Sequence, residues 1–262
     1  MTVMHHIFYA PQNPNRRPSL ILIHGAGGSF LSWHPRLRRL AGETVYTPDL
    51  PGHGESGGAG KNSIGEYARD VLAFIEENRI HKPVIAGHSM GGAIALDLAL
   101  DAPEKLSGIA LLGAGAKLRA SPLILEKTKS PDTFPEAAAL VNQNSFSPDA
   151  PKDLLRLSNE NMLKTNPQTF HGDFLACDSF DAMERVASIR LPTLILCGTR
   201  DAMTPPKFSK FLAEQIPGAR LHLIENAGHM LALEQPEVVA RLLKEFLDGL
   251  PPLSSQQDSM QA

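Results

Sequence analysis

The sequence predicts an α/β fold: a mostly parallel central sheet flanked by helices, interrupted by a helical insert. Three observations lead there. Short apolar runs alternate with amphipathic helical patterns, as strands joined by crossover helices require. The chain has 262 residues, 42% of them hydrophobic, enough to bury a large core. The alternation also stops between Lys117 and Ser188 and then resumes.

Leu20–Ile23 is the first clear buried strand, and Val45–Pro48, Val84–Ala86, Ile109–Leu112, Leu194–Cys197 and Leu221–Ile224 follow it. Ser63 and Glu66 have the spacing of a capping box, and Ile64, Tyr67, Ala68, Val71, Leu72 and Ile75 then recur at helical spacing. Gly91–Leu100 is rich in Ala and Leu and stops before Pro103. Val238, Val239, Leu242, Leu243, Phe246 and Leu247 form the apolar face of a last helix.

Residues 117–188 hold six prolines that separate short helical stretches, and many large apolar residues, Phe134, Phe146, Phe170 and Phe174 among them. A structureless loop of that length is unusual in a compact domain, so the segment is expected to be a helical insert lying over the sheet. Residues 1–116 and 189–250 would form the core, and 251–262 a polar, frayed tail.

The net charge of −3 gives no electrostatic reason to expect nucleic acid or an anionic membrane as partner. Arg36, Arg38 and Arg39 are the densest basic group and read as the solvated face of a helix. No apolar run is long enough for a bilayer span, and Met1–Ala10 has no leader pattern, so the expected location is the cytoplasm. Cys197 lies in an apolar run and reads as core, whereas Cys177 has no Cys or His at metal-ligand spacing. No metal site is expected, and a disulfide between the two cysteines stays open.

Gly87-His88-Ser89-Met90-Gly91 follows one strand and precedes a helix. In that setting a serine stands on a tight turn with its hydroxyl above the sheet, and flanking glycines let backbone come close. A serine hydroxyl needs a base, and Gly228-His229 follows the last strand, where a loop can place an imidazole over the same crevice. His24 and His53 sit in Gly-containing turns and read as loop supports, and His88 as packing beside Ser89. The base needs an orienter, and Asp201 comes directly after the strand Leu194–Cys197. Asp173, Asp178 and Asp181 are rivals by type only, since they lie in the insert. A developing oxyanion would be met by the N–H of Met90 and by an N–H from His24-Gly25-Ala26-Gly27-Gly28, with Ala26 the best candidate.

Taken together, His24–Ser29, Pro48–Ser56, Gly87–Gly92, Gly198–Asp201 and Gly228-His229 resemble, in order and over nearly the whole chain, the α/β-hydrolase superfamily. The resemblance implies that the insert is a cap that shapes substrate choice. Few residues precede Leu20, so the leading antiparallel strands of the superfamily are expected to be shortened or reduced to one. Ser89 stands where haloalkane dehalogenases and epoxide hydrolases carry an aspartate. His88 stands where dienol carbon–carbon bond hydrolases usually carry an asparagine, and His88-Ser89-Met90 looks most like the esterase-type members.

The expectation is therefore a serine carboxylesterase using an acyl-enzyme, with Ser89, Asp201 and His229 as catalytic residues and no cofactor. The substrate would be a small, uncharged, fairly hydrophobic ester, and the protein a monomer or homodimer. Trp33, His88, Phe134, Phe146 and Phe174 are candidates to line the pocket. A carbon–carbon bond hydrolase and a non-catalytic ligand-binding protein on the same scaffold are the alternatives.

Overall fold

A computed structural model describes residues 3–12 and 17–252. Most of the expected tail, residues 253–262, lies outside them. Among the described residues, seven strands form one sheet: β1 (His6–Tyr9), β2 (Leu20–Ile23), β3 (Val45–Pro48), β4 (Val84–His88), β5 (Gly108–Leu112), β6 (Thr193–Gly198) and β7 (Arg220–Ile224). Their spatial order is β1-β3-β2-β4-β5-β6-β7. Only β1 runs antiparallel, pairing His6 with Pro48 and Tyr9 with Val45. It is the one leading strand among the described residues. A half-buried His-Ile-Phe-Tyr edge carries no continuous apolar signal, which is why the sequence did not mark it.

Among the described residues, ten α-helices accompany the sheet: α1 (Pro35–Arg38), α2 (Ile64–Glu77), α3 (Met90–Asp101), α4 (Pro122–Thr128), α5 (Phe134–Ser145), α6 (Lys152–Met162), α7 (Pro167–Ser179), α8 (Pro206–Gln215), α9 (Leu231–Glu234) and α10 (Pro236–Asp248). The reading at Ser63 is realised at the start of α2. The Ser63 side chain accepts from the Glu66 N–H and its hydroxyl donates to the Glu66 carboxylate at 2.8 Å.

All four residues of β2 are buried, because the sheet is covered on both faces. Successive side chains point to opposite faces. Ile21 and Ile23 join Ile85, Ile109 and Leu111 in one core layer with α2 and α3. Leu20 and Leu22 join Val84, Ala86 and Leu112 in the other, with Trp33, Leu37 and the apolar face of α10.

Helices α4 to α7 all fall between β5 and β6, and no strand interrupts them. They share a small core of their own, formed by Ile124, Phe134, Ala138, Val141, Phe170 and Phe174. Helix α6 has no buried residue. Its Leu154, Leu157 and Met162 line a cavity.

The chain leaves β2 for β3 on one side and has β4 on the other. At such a reversal the loops after the two strands diverge and open a crevice. Ile23 of β2 is in register with Gly87 of β4, so the turns that follow, His24–Gly28 and Ser89, open into that crevice together.

Candidate active site

Ser89 sits between β4 and α3 with φ 54° and ψ −115°, a left-handed conformation that costs a non-glycine residue about 1–3 kcal/mol. Its neighbours let the turn close. A Cβ on Gly87 would fall 2.0 Å from the Gly91 carbonyl oxygen, and one on Gly91 would fall 2.3 Å from that of Ile23. The backbones therefore pack where only glycine fits.

His229 lies in the loop after β7 and is 3% exposed. Its Nδ1 is 2.8 Å from Oδ2 of Asp201. A carboxylate only accepts, so Nδ1 carries the proton and the Nε2 lone pair is left to take another. Asp201 is saturated with donors. Oδ1 accepts the N–H groups of Met203 and Thr204 at 2.9 and 2.8 Å, and Oδ2 also accepts the Thr204 hydroxyl at 2.9 Å. Burial pushes this carboxyl up, but the nearby His229 and these hydrogen bonds outweigh it and hold the group below its ordinary range. Asp201 thus also closes the turn that leads toward α8.

Sequence reasoning missed Thr204. A hydroxyl residue three positions after a turn aspartate was the available signal. It missed Glu234 as well. The two carboxylate oxygens of Glu234 accept from the N–H groups of Gly228 and Ser147, both at 3.0 Å, and strap the His229 loop to the insert. Nothing in local spacing points to a contact that spans 87 positions.

His88 Nε2 is 2.9 Å from the carbonyl oxygen of His229, and the rings lie 4.7 Å apart. Burial, then the neighbouring His229, pushes the His88 imidazole down to about 3. His24 accepts the Leu50 N–H on Nε2 at 3.0 Å and turns Nδ1 to the Gly25 carbonyl at 2.8 Å, which makes it a loop support. The N–H of Met90 opens α3, where no intrahelical acceptor exists. Among the described residues, neither it nor the N–H of Ala26 is paired.

Ala26, Ser89 and His229 all line one cavity of about 340 Å³, together with His88, Trp33 and Phe174. Trp33 is fully buried and supports α1 at the same time. From the insert, Val141, Leu154, Leu157 and Met162 add apolar wall. Arg38 and Arg119 also face the cavity, and among the described residues no carboxylate does. Cys177 is on the wall, and both it and Cys197 are buried free thiols, so the disulfide is absent.

Two expectations need correction. Phe134 does not line the cavity; it stacks edge-on behind Phe170, with ring centroids 5.2 Å apart. Phe146 does not line it either. Its backbone lies against Gly228, where an added Cβ would sit 2.7 Å from the Phe146 carbonyl carbon. The apolar count of a segment says that it covers something, but which residue faces the covered space depends on how each helix is rolled.

The arrangement can lower the barrier of an acyl transfer: a hydroxyl on a strained turn, an oriented imidazole and Ala26 with its spare N–H line one apolar space, and the spare N–H of Met90 directly follows the hydroxyl in the chain. Residues 20–242 match the model of the Alpha/beta hydrolase family. The pimeloyl-(acyl-carrier protein) methyl ester esterase of Neisseria meningitidis is 30% identical over 251 residues, covering 90% of this chain and 96% of that protein. RutD of Azorhizobium caulinodans is 28% identical over 253 residues, with 87% of this chain and 90% of that protein covered. A solved thermophilic esterase superposes with a TM-score of 0.81 at 30% identity, covering 95% of this chain and all of that one.

Proposed function

The chain belongs to the alpha/beta hydrolase family, and we propose that it is a serine esterase that cleaves carboxylic esters through an acyl-enzyme. The observation that carries this reading is the buried His229–Asp201 pair opening onto the same cavity as Ser89. His229 Nε2 takes the Ser89 proton as Oγ attacks the ester carbonyl. The oxyanion is met by the N–H groups of Ala26 and Met90. His229 then gives its proton to the departing alcohol, and the same base activates a water that releases the acid. These steps use side chains, backbone and water alone.

The esterase relative and the esterase-like structure support ester over carbon–carbon cleavage. The insert acts as a cap whose mostly apolar wall favours an uncharged, fairly hydrophobic acyl group. With arginines and no carboxylate on the wall, a cationic ester should be the poorest substrate. The test pairs a series of p-nitrophenyl esters of graded acyl length with fluorophosphonate labelling. Hydrolysis across the series and a label on Ser89 are expected. No label, or a label elsewhere, would overturn the reading.

A further inference from the structure

The insert carries a fully buried carboxylate, Asp173, that the proposed chemistry does not use. Its Oδ2 accepts the Gly27 N–H at 2.8 Å and His53 Nε2 at 2.7 Å, and its Oδ1 accepts the Tyr67 hydroxyl at 2.6 Å. His53 gives its other proton to the Pro51 carbonyl at 3.1 Å. Both of its partners only accept, so the ring is an imidazolium paired with the carboxylate. Burying such a pair is worthwhile only when its geometry is specific, as it is here.

Gly27 is gripped by the insert on every side. Asp173 of α7 holds its N–H, and Thr165, just before α7, donates its hydroxyl to the Gly27 carbonyl at 3.0 Å. The Phe170 ring covers the Cα, where a Cβ would fall 2.4 Å from the ring edge, and φ is +62°. On the other flank, the Gly25 carbonyl receives His24 Nδ1 and the Gly28 N–H at 3.1 Å. The Gly25 carbonyl and the Ala26 N–H belong to one peptide plane. The peptides before and after Ala26 are therefore both fixed, the first by the core and the second by the insert.

We propose that Asp173 is a positioning residue for the oxyanion hole, through which docking of the insert sets the direction of the Ala26 N–H. The proposal rests on the esterase reading above. Without the carboxylate, the Ala26–Gly27 peptide loses its anchor, and the Gly25–Ala26 plane that carries the Ala26 N–H is left held at the Gly25 carbonyl alone. An oxyanion donor acts only when it is aimed at the place where charge develops. The loss should then appear in the tetrahedral state and not in the binding of substrate.

The experiment compares Asp173→Ala with the wild-type chain on one p-nitrophenyl ester. It also measures inhibition by an aryl trifluoromethyl ketone, whose hemiketal with Ser89 places an oxyanion in the hole, and by the product acid. A kcat lowered about 10- to 100-fold with KM within about threefold is expected, as a misaligned donor costs less than a deleted one. The ketone should weaken by the same factor and the product acid hardly at all. Asp173→Asn, whose carbonyl oxygen can stand in for Oδ2, should recover most of the loss. If Asp173→Ala does not fold, Thr165→Val, which removes one donor to Gly27, decides by the same readings. Unchanged kcat, or a lowered kcat with ketone affinity intact, overturns the proposal. A wild-type chain that neither turns over an ester nor binds the ketone sinks the esterase reading itself.

Discussion

The Nε2–H of His88 donates to the backbone carbonyl of His229 at 2.9 Å, so the residue before the proposed nucleophile holds the residue proposed as its base. A charged ring could make this bond too, but the site keeps His88 neutral. Burial and the neighbouring His229 place His88 at about 3, against an ordinary value of 6.5. Burial and then His53 place His24 at about 4.

Both shifts have the same sign for stability. As pH falls below 6.5 the unfolded chain takes up protons that the folded chain refuses. Stability therefore declines from pH 6.5 toward 4, by up to about 1.4 kcal/mol per pH unit for each histidine. In His88→Gln, which keeps a donor to His229, the drop between pH 7 and pH 5 should shrink by up to about 2 kcal/mol. Denaturant titrations at the two pH values measure it. An unchanged drop would mean that His88 does not titrate as a buried neutral group.

Ser89→Ala should abolish ester hydrolysis, by about 10⁴-fold or more in kcat, with the fold retained. Ser89→Gly should be equally inactive but more stable by about 1 kcal/mol, because glycine accepts the positive φ without strain. Activity assays and thermal melts of the two variants separate the chemical role from the conformational one. Residual turnover above a few per cent in either variant would remove Ser89 from the reaction.

Asp201→Asn should lower turnover by about 10⁴-fold while leaving KM nearly unchanged, since an amide favours the wrong imidazole tautomer. Thr204→Val keeps the carboxylate but removes one of its donors, and a loss of about tenfold is expected. Asp178 is partly exposed and lies near Arg119, so Asp178→Asn should be mild. A severe Asp178→Asn beside a mild Asp201→Asn would reverse the assignment.

The residues that meet at the cavity were legible because each stands just past a strand. Chain order and close backbone approach leave a local mark, as in the Gly87–Gly91 turn and the glycine-rich turn after β2. Asp173 was legible only as a carboxylate in the insert. Its partners Gly27, His53 and Tyr67 are 146, 120 and 106 positions away, and no period or motif encodes them. The insert's helices were legible from their prolines and apolar content. The roll of each helix was not, because α5 and α7 choose their inward faces by packing on each other, and that choice put Phe174 on the cavity and Phe134 behind Phe170.

That difference between the two phenylalanines separates selectivity from support. Phe174 of α7 and Leu157 of α6 touch the space a substrate's acyl chain would fill. Shortening either should widen it, so Phe174→Ala and Leu157→Ala should shift kcat/KM toward longer or bulkier acyl groups relative to acetate. A pocket contact of this kind discriminates by about 1–3 kcal/mol, or about 10- to 200-fold between esters. Phe134 is 5% exposed and packs in the cluster of the insert's helices, against Phe170. Phe134→Ala should cost about 3–5 kcal/mol of stability through the cavity it leaves, while changing the ratio between esters little. Assays on acetate, butyrate, hexanoate and octanoate esters, with a thermal melt of each variant, test both halves. If Phe174→Ala and Leu157→Ala scale every ester by one factor, the insert is a support for the site and does not select its substrate.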